Sequence, residues 1–505
     1  MAFIYVMICY FLVMISIGLY HSRTSKDIEG YYLAGRNTNQ FFQTMTNFAT
    51  VSSSFTMMGA LGFAYGHGFC YVWLGWLWTS LYVLLWLIFG SRGHLLGRKF
   101  NWMTGNDIVR DYFGFEKFQI VVTLILVMVQ FPYIIAQMLA VGYLFNVFSG
   151  IPIEYGVAAA VFMLTVYGFL GGVKTVLWGD AIAGIVIMSV LALLFFTLLP
   201  KTMAQGPVIQ TMLTNFPNHF TFPGALGTWT PLHAITYVIA FGTGYAFIPK
   251  FINRWFTPAS YKVMRLSVGK SNGIVNIFTW FICPMIGIMM LSIMPGMEKT
   301  LSLDMIPPQI IWTLLPVLGI VYALSVAAGS ISTADSAMIT CSSMLLKDIY
   351  ARLFAKEPSD AHLLWAGRMC TLLIGLVAMF FTLTDPGYII LIVGMSAAMG
   401  SIVLFCFILG PLMVPWITRA ASMWASVISS LFCFFSLIGV LPKTYFGLPG
   451  TTITCFLCLA LVVIISAFTE KVDKNIQKEF HGYLDDVLTP LDEKIGTDTG
   501  VSVTR

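Results

Sequence analysis

The feature that most restricts this chain is a succession of apolar stretches, each about 20 residues long, recurring along nearly its whole length. A helix of that size crosses the hydrocarbon core of a bilayer and satisfies its own backbone hydrogen bonds there. Windows of this length predict helices near 2–20, 41–65, 70–90, 118–148, 153–170, 178–200, 232–252, 268–294, 308–346, 361–383, 387–416, 420–441 and 447–468. The 308–346 stretch is long enough to tilt or to project from the membrane. The composition agrees: 58% of residues are hydrophobic and 10% charged, against roughly 25% charged in an average soluble domain. The expected fold class is an all-α polytopic membrane protein with about thirteen transmembrane helices. The first segment, Ala2 to Tyr20, has no basic n-region and no small-residue cleavage site, so it reads as a retained helix. Only Cys70 of the cysteines falls near a predicted outer loop, which implies no disulfide framework.

Orientation follows from lysine and arginine, which accumulate in cytoplasmic loops. Of the 27, the loops and tail on one side hold 22, the opposite loops hold only Lys201, Lys299 and Lys443, and Lys270 and Arg368 sit in helix ends. This predicts the N-terminus outside, the C-terminus in the cytoplasm, and a plasma-membrane location. Lys250 and Arg254 are counted in an inner loop on this reading, leaving no cation at the midplane. Basic residues spread over loops form no nucleic-acid patch. Residues 1–469 read as one transmembrane transporter domain, and 470–505 as a charged cytoplasmic tail with a short helix and a disordered end.

Polar residues at membrane depth are costly and each needs a reason. The second helix carries Ala49-Thr50-Val51-Ser52-Ser53-Ser54-Phe55-Thr56, and such a hydroxyl run competes for backbone hydrogen bonds. It could open the helix, or pack small residues against a neighbour. In the ninth helix Ser332, Asp335 and Ser336 share one face, with Thr333 beside them. Hydroxyls, a carbonyl and one carboxylate suit a small hard cation such as sodium, or else a structurally capped aspartate. Asp180 opens the sixth helix after Gly171-Gly172. It could be a helix N-terminal carboxylate or the second acidic ligand of a cation path. Gln130, Tyr133 and Gln137 form a polar stripe on the fourth helix that would line a cavity or bond between helices. The seventh helix reads Phe241-Gly242-Thr243-Gly244-Tyr245-Ala246-Phe247-Ile248-Pro249, the mark of a discontinuous helix. Helices two and seven are then corresponding members of two inverted repeats, near 41–200 and 232–416, a pattern that points to a transport site at the midplane.

With these residues in view, the chain resembles the sodium/solute symporter family, whose members carry sugars, proline, pantothenate, sialic acid, monocarboxylates and iodide. The landmarks are Tyr31-Tyr32-Leu33-Ala34-Gly35-Arg36, the stretch from Gly171-Gly172 to Trp178-Gly179-Asp180, and Gly329 through Ser332-Thr333 to Lys347-Asp348-Ile349-Tyr350. The resemblance implies a five-plus-five inverted-repeat, LeuT-like core. It also implies a sodium site of backbone carbonyls from Ala49, Ser52 and Gly329 with the hydroxyls of Ser332 and Thr333. Relatives often have alanine at Gly329, which leaves the carbonyl in place. A second cation site would use Asp180, Asp335 and Ser336, although relatives with a second ion tend to have a hydroxyl where Asp335 stands. Ser53, Ser54 and Thr56 match the solute-binding hydroxyls of carboxylate carriers, and the polar stripe with Tyr245 would complete that site. Proline carriers have an aspartate where this chain has Val51.

The expected activity is sodium-coupled import of a small organic solute, most simply a carboxylate of monocarboxylate, pantothenate or sialic acid type, by alternating access. A proton-coupled carrier on the same scaffold and a transporter-like sensor are the alternatives. An enzyme is not expected: the histidines are scattered, and the chain has no His-Glu-x-x-His, nucleophile elbow or phosphate loop.

Overall fold

The computed structural model describes residues 2–23, 27–114, 118–204, 206, 208–354, 359–384 and 387–488, with backbone alone for 167–171, 208, 209, 211, 212 and 390. Lys26, Lys117, Lys356, Lys494 and Arg505 of the charge pattern, and the expected disordered end of the tail, lie outside the described residues. Every predicted span is helical. Among the described residues ten helices are long and apolar enough to cross a membrane, and an eleventh span bends by 43° between Pro231–Tyr245 and Pro249–Phe256. The other two expected spans are helical but broken or short. One is Gln40–Val51, resuming as Phe55–Ala60 and Leu61–His67; the other begins with Ile153–Val166.

The fifth and sixth spans meet at Gly172, the one residue in Ile153–Met203 with non-helical φ and ψ (59° and −161°). Its φ suits glycine, and a Cβ there would lie 2.5 Å from the Tyr31 carbonyl oxygen. The glycine pair therefore turns the chain while letting the Tyr31 backbone close against it. The ninth predicted span differs from expectation. It is not one long helix but Ile306–Leu314 and Pro316–Met344, separated at Leu315 (φ −143°, ψ 63°). Pro316 cannot donate to the preceding turn, so a shorter helix lies before the spanning one.

The spanning part of the ninth helix packs on the fourth helix and on Ile153–Met203, while the seventh runs against the third and eleventh. Gly244 and Gly400 let the seventh and eleventh backbones touch: a Cβ on either would clash with main-chain atoms of the other helix. Close approach through small residues is how helices associate where lipid removes the hydrophobic drive. The described start of the tail, Lys474–Gln477 and Lys478–Gly482, docks on the basic-rich face, where the Phe480 ring stacks on Phe100 with centroids 4.8 Å apart.

Candidate functional site

The hydroxyl run of the second span breaks its helix. Gln40–Val51 ends at Ser52 (φ −97°, ψ 81°), and the chain resumes as wide turns from Phe55. Four carbonyls around the break lose their place in the helical ladder and must find other partners. Two of them meet donors on neighbouring helices, the ninth and the fourth, and a third is met from within its own span. Thr333 Oγ1 donates to the Ala49 carbonyl at 3.3 Å, Tyr133 OH to that of Thr50 at 3.0 Å, and Thr56 Oγ1 to that of Val51 at 3.5 Å. The Ser52 carbonyl lies 3.6 Å from where a Cβ on Gly329 would stand.

Thr333 and Gly329, two of the ninth-helix residues expected around sodium, thus meet the opened second helix. Ala49 meets Thr333, Ser52 meets Gly329, and Ser332 Oγ faces the Gly329 carbonyl at 3.4 Å. Ala49, Ser52, Ser332 and Thr333 are fully buried. The Ser52 side chain itself points away, to Thr279 Oγ1 at 2.8 Å. All of these donors are neutral oxygens, a set that fits a small hard cation and not zinc or copper.

One turn further along the ninth helix the chemistry changes. Arg254 Nη2 donates to Asp180 Oδ2 at 3.2 Å and to Ser336 Oγ at 3.1 Å. Its Nε reaches Thr46 Oγ1 at 3.1 Å and its Nη1 the Lys250 carbonyl at 2.9 Å. Thr46 also donates to Asp180, and the Ser332 hydroxyl faces the same carboxylate. Asp180 and Ser336, two of the three residues expected to hold a second cation, are therefore joined by a guanidinium. Asp335, the third, is fully buried, and neither of its carboxylate oxygens meets a donor among the described residues.

On the other side of the break lies the group expected to hold solute. Ser54 Oγ donates to Gln137 Oε1 at 2.8 Å, and the hydroxyls of Tyr133 and Tyr245 are 3.0 Å apart. Ser53 sits beside Tyr133. Gln130 Oε1 accepts the Lys250 backbone N–H at 3.0 Å, which orients its amide. Thr56 is engaged elsewhere: its hydroxyl turns back to Val51, and its carbonyl takes the Cys283 thiol at 3.1 Å. Phe55, Trp78, Phe241, Tyr245 and Trp280 close around the group in edge and tilted contacts. A cavity of about 470 Å³, lined by His67, Trp229, His233 and Tyr388, reaches inward as far as Phe241. The Phe241 ring stacks on Tyr245 with centroids 5.4 Å apart.

The assignment of Lys250 and Arg254 to an inner loop is corrected by the structure. The short helix Pro249–Phe256 is buried along its whole length, and Lys250 is wholly inaccessible. Its Nζ lies 3.0 Å from the centre of the Tyr133 ring and 3.4 Å from the Thr50 carbonyl, beside the break in the second helix. A cation does stand at this depth. The hydropathy window missed it because a proline followed by a lysine ends an apolar run just as an exposed loop does. The available signal was periodic: Lys250 and Arg254 are four apart in a helix otherwise rich in large apolar residues. The aromatic walls, Thr46 and Thr279 carried no local signal at all.

Residues 31–429 match the sodium:solute symporter family. The chain is 22% identical to the high-affinity proline transporter PutP of Bacillus subtilis, over 94% of this chain and 99% of that protein. It is 25% identical to the sodium/pantothenate symporter of Haemophilus influenzae, over 74% of this chain and 76% of the relative. Its fold is that of a Na+-coupled sialic acid symporter solved in a substrate-bound outward-open state, with a TM-score of 0.75 at 18% identity, covering 94% of this chain and 99% of that one. The two helix breaks meeting at one buried site, in a multi-pass helical chain matched over most of its length, make it a carrier and not an enzyme: the chain belongs to the sodium:solute symporter family, and its activity is sodium-coupled solute import.

Proposed function

We propose that this carrier imports a small organic carboxylate together with sodium by alternating access, with the ion held by the carbonyls of Ala49, Ser52 and Gly329 and the hydroxyls of Ser332 and Thr333. One observation carries the reading. The same broken turn presents Ala49 to Thr333 on one side and Ser54 to Gln137 on the other. An ion that draws the second and ninth helices together therefore also shapes the solute site, and coupling is differential binding to one conformation. Support for a carboxylate comes from the hydroxyls and amides gathered around Ser53, Ser54, Gln130, Tyr133, Gln137 and Tyr245, and from Val51 in place of an aspartate.

The carrier lies in the cell membrane with its N-terminus outside. The cavity ending at Phe241 is then the outer vestibule, and the Arg254–Asp180 pair closes the inner side. Inward opening separates the ninth helix from the second and releases the ion. A negative interior adds about 2.3 kcal/mol per sodium for each 100 mV. The test is a thermal-shift screen of the purified carrier with small organic acids, sugars and amino acids, in sodium and in choline. Acids that stabilise only in sodium are the expected result. Stabilisation by sugars or zwitterions and not by acids would overturn the carboxylate.

One observation favours a second coupling ion. Asp335 is buried without a hydrogen-bond donor, and a carboxylate so placed is costly unless it holds a proton or a cation. A proton on Asp335 is the second reading. Uptake into proteoliposomes at a fixed sodium gradient, with and without an imposed pH gradient, tests it, and uptake indifferent to the pH gradient removes it.

A further inference from the structure

We propose that Lys250 is the charged anchor of the solute site, and that the solute it selects is a monocarboxylate with an apolar, preferably aromatic, body. This rests on the carboxylate reading above and narrows it to a class and a residue.

Three observations carry the assignment. The first is the charge itself. A wholly buried ammonium needs a counter-charge or a site that uses it. Arg254 occupies Asp180, and among the described residues Lys250 makes no ion pair. Its Nζ meets only the Thr50 carbonyl at 3.4 Å and the faces of Tyr133 and Phe251, at 3.0 and 5.0 Å from the ring centres. Such cation–π contacts hold an ammonium in place and leave it able to take a stronger anionic partner.

The second observation is the sign of the polar groups left over around it. The amide nitrogens of Gln130 and Gln137 and the indole nitrogens of Trp78 and Trp280 are buried and meet no acceptor among the described residues. Each can only donate. Gln130 cannot be turned to present its oxygen, because that oxygen already accepts the Lys250 N–H. Donors with a cation call for an acceptor-rich, anionic group. An amino acid would bring an ammonium beside Lys250.

The third observation is the wall. Phe55, Trp78, Phe241 and Tyr245 form one continuous cluster, with Trp78 and Phe241 centroids 4.5 Å apart. Such faces bind an apolar or planar body through area burial and ring contacts. The vestibule reaches this wall at Phe241, whose ring stacks on Tyr245, the neighbour of Tyr133.

The experiment compares acids with their neutral isosteres on the full-length carrier in detergent and in proteoliposomes. Benzoate, phenylacetate and butyrate are each paired with the corresponding amide, and affinity is read from thermal shift in sodium. In the wild type the acids bind more tightly than the amides, and the aryl acids more tightly than butyrate. A charge-assisted contact predicts that Lys250→Met weakens acid binding about 10- to 100-fold, down to the level of the amides. Lys250→Arg keeps part of the preference. The sodium-induced stabilisation of Lys250→Met, measured without solute, reports that the variant is folded. Acid preference that persists undiminished in a folded Lys250→Met overturns the anchor and leaves the carboxylate reading standing. Equal binding of acids and amides by the wild type, or no binding of any acid, overturns the class. A Lys250→Met carrier whose sodium affinity changes while its acid preference stays intact also overturns the anchor, and makes the ammonium a tethered neighbour of the ion.

Discussion

Two neighbouring stretches of the ninth helix were both expected to hold a cation, and they have come out differently. Around Thr333 and Gly329 the neighbours are neutral carbonyls of the broken second helix, those of Ala49 and Ser52. One turn on, at Ser336, the protein supplies its own cation, the Arg254 guanidinium, bonded to Asp180, Ser336 and Thr46. As the proposed sodium site, the first arrangement would bind and release its ion in every cycle, because neutral ligands are left with no uncompensated charge when the ion leaves. The second cannot part without exposing two buried charges to a dry interior, so it suits a gate. Neutral ligands make an exchangeable site and a covalently tethered cation makes a lock, on the same helix and about one turn apart.

The strongest way to break this contrast is to remove the tethered cation. Arg254→Gln leaves Asp180 buried and unpaired, and loss of one partner from such a pair costs about 3–5 kcal/mol. The expected readout is a large fall in melting temperature or folded yield, partly restored by adding Asp180→Asn. A single variant as stable as the wild type would show that the pair is not a lock. A smaller effect is expected on the exchangeable side. Ser332→Ala with Thr333→Ala removes two neutral ligands, each worth about 1 kcal/mol, so half-maximal uptake should need roughly 10- to 30-fold more sodium. Unchanged sodium dependence would sink the site.

A third ion pair, outside the spans, sharpens the comparison with pH. Asp107 is bonded to Lys347 at 2.6 Å and to Arg110 at 2.8 Å. Burial alone would raise its pKa, but the two cations outweigh it and hold the carboxyl below its ordinary value. A depressed folded pKa contributes stability that is present above about pH 4 and is lost as pH falls through the depressed value. Both cations are about one-third exposed, so the contribution is about 1 kcal/mol after screening. Melting curves of Asp107→Asn should lie below wild type at pH 7, and the gap should begin to narrow as pH falls below about 4. A gap that does not narrow at all in acid would mean the loss is one of packing and not of charge. The smallest effect is expected from Ser336→Ala, which takes one of several hydrogen bonds from Arg254. Its sodium requirement should stay within about twofold of wild type, since Arg254 keeps its charge-assisted bonds to Asp180 and Thr46 and none of the proposed sodium ligands is touched. A shift as large as that of Ser332→Ala would place an ion where the guanidinium stands.

Much of this was legible before any coordinates. Hydropathy located the spans, and Ser52-Ser53-Ser54 and Gly244 with Pro249 marked the two interruptions, because a helix reports its own weak points through residues that compete for or lack backbone bonds. Periodicity places Ser332 on one face with Asp335 and Ser336, and it is the family resemblance that singles out Ser332 and the neighbouring Thr333 as ion ligands. Thr56 looked equally suitable, but the wide turn after the break aims it back at Val51. Lys250 and Arg254 read as loop markers in the sequence, because basic residues just past Pro249 at the end of an apolar window look like the start of a basic inner loop.

The sequence alone thus determined the membrane-spanning class, the two broken helices and the oxygen-rich face, since all three follow from patterns within single segments. Only the tertiary structure decided the depth of the cations and the character of each cation site. Burying Arg254 is tolerable because Asp180, 74 residues earlier, meets it, and nothing local to either residue records that meeting. The 43° bend at Ala246–Ile248 carries Lys250 to the opened second helix. A charge inside a membrane is explained by its partner, and partners are a property of the fold.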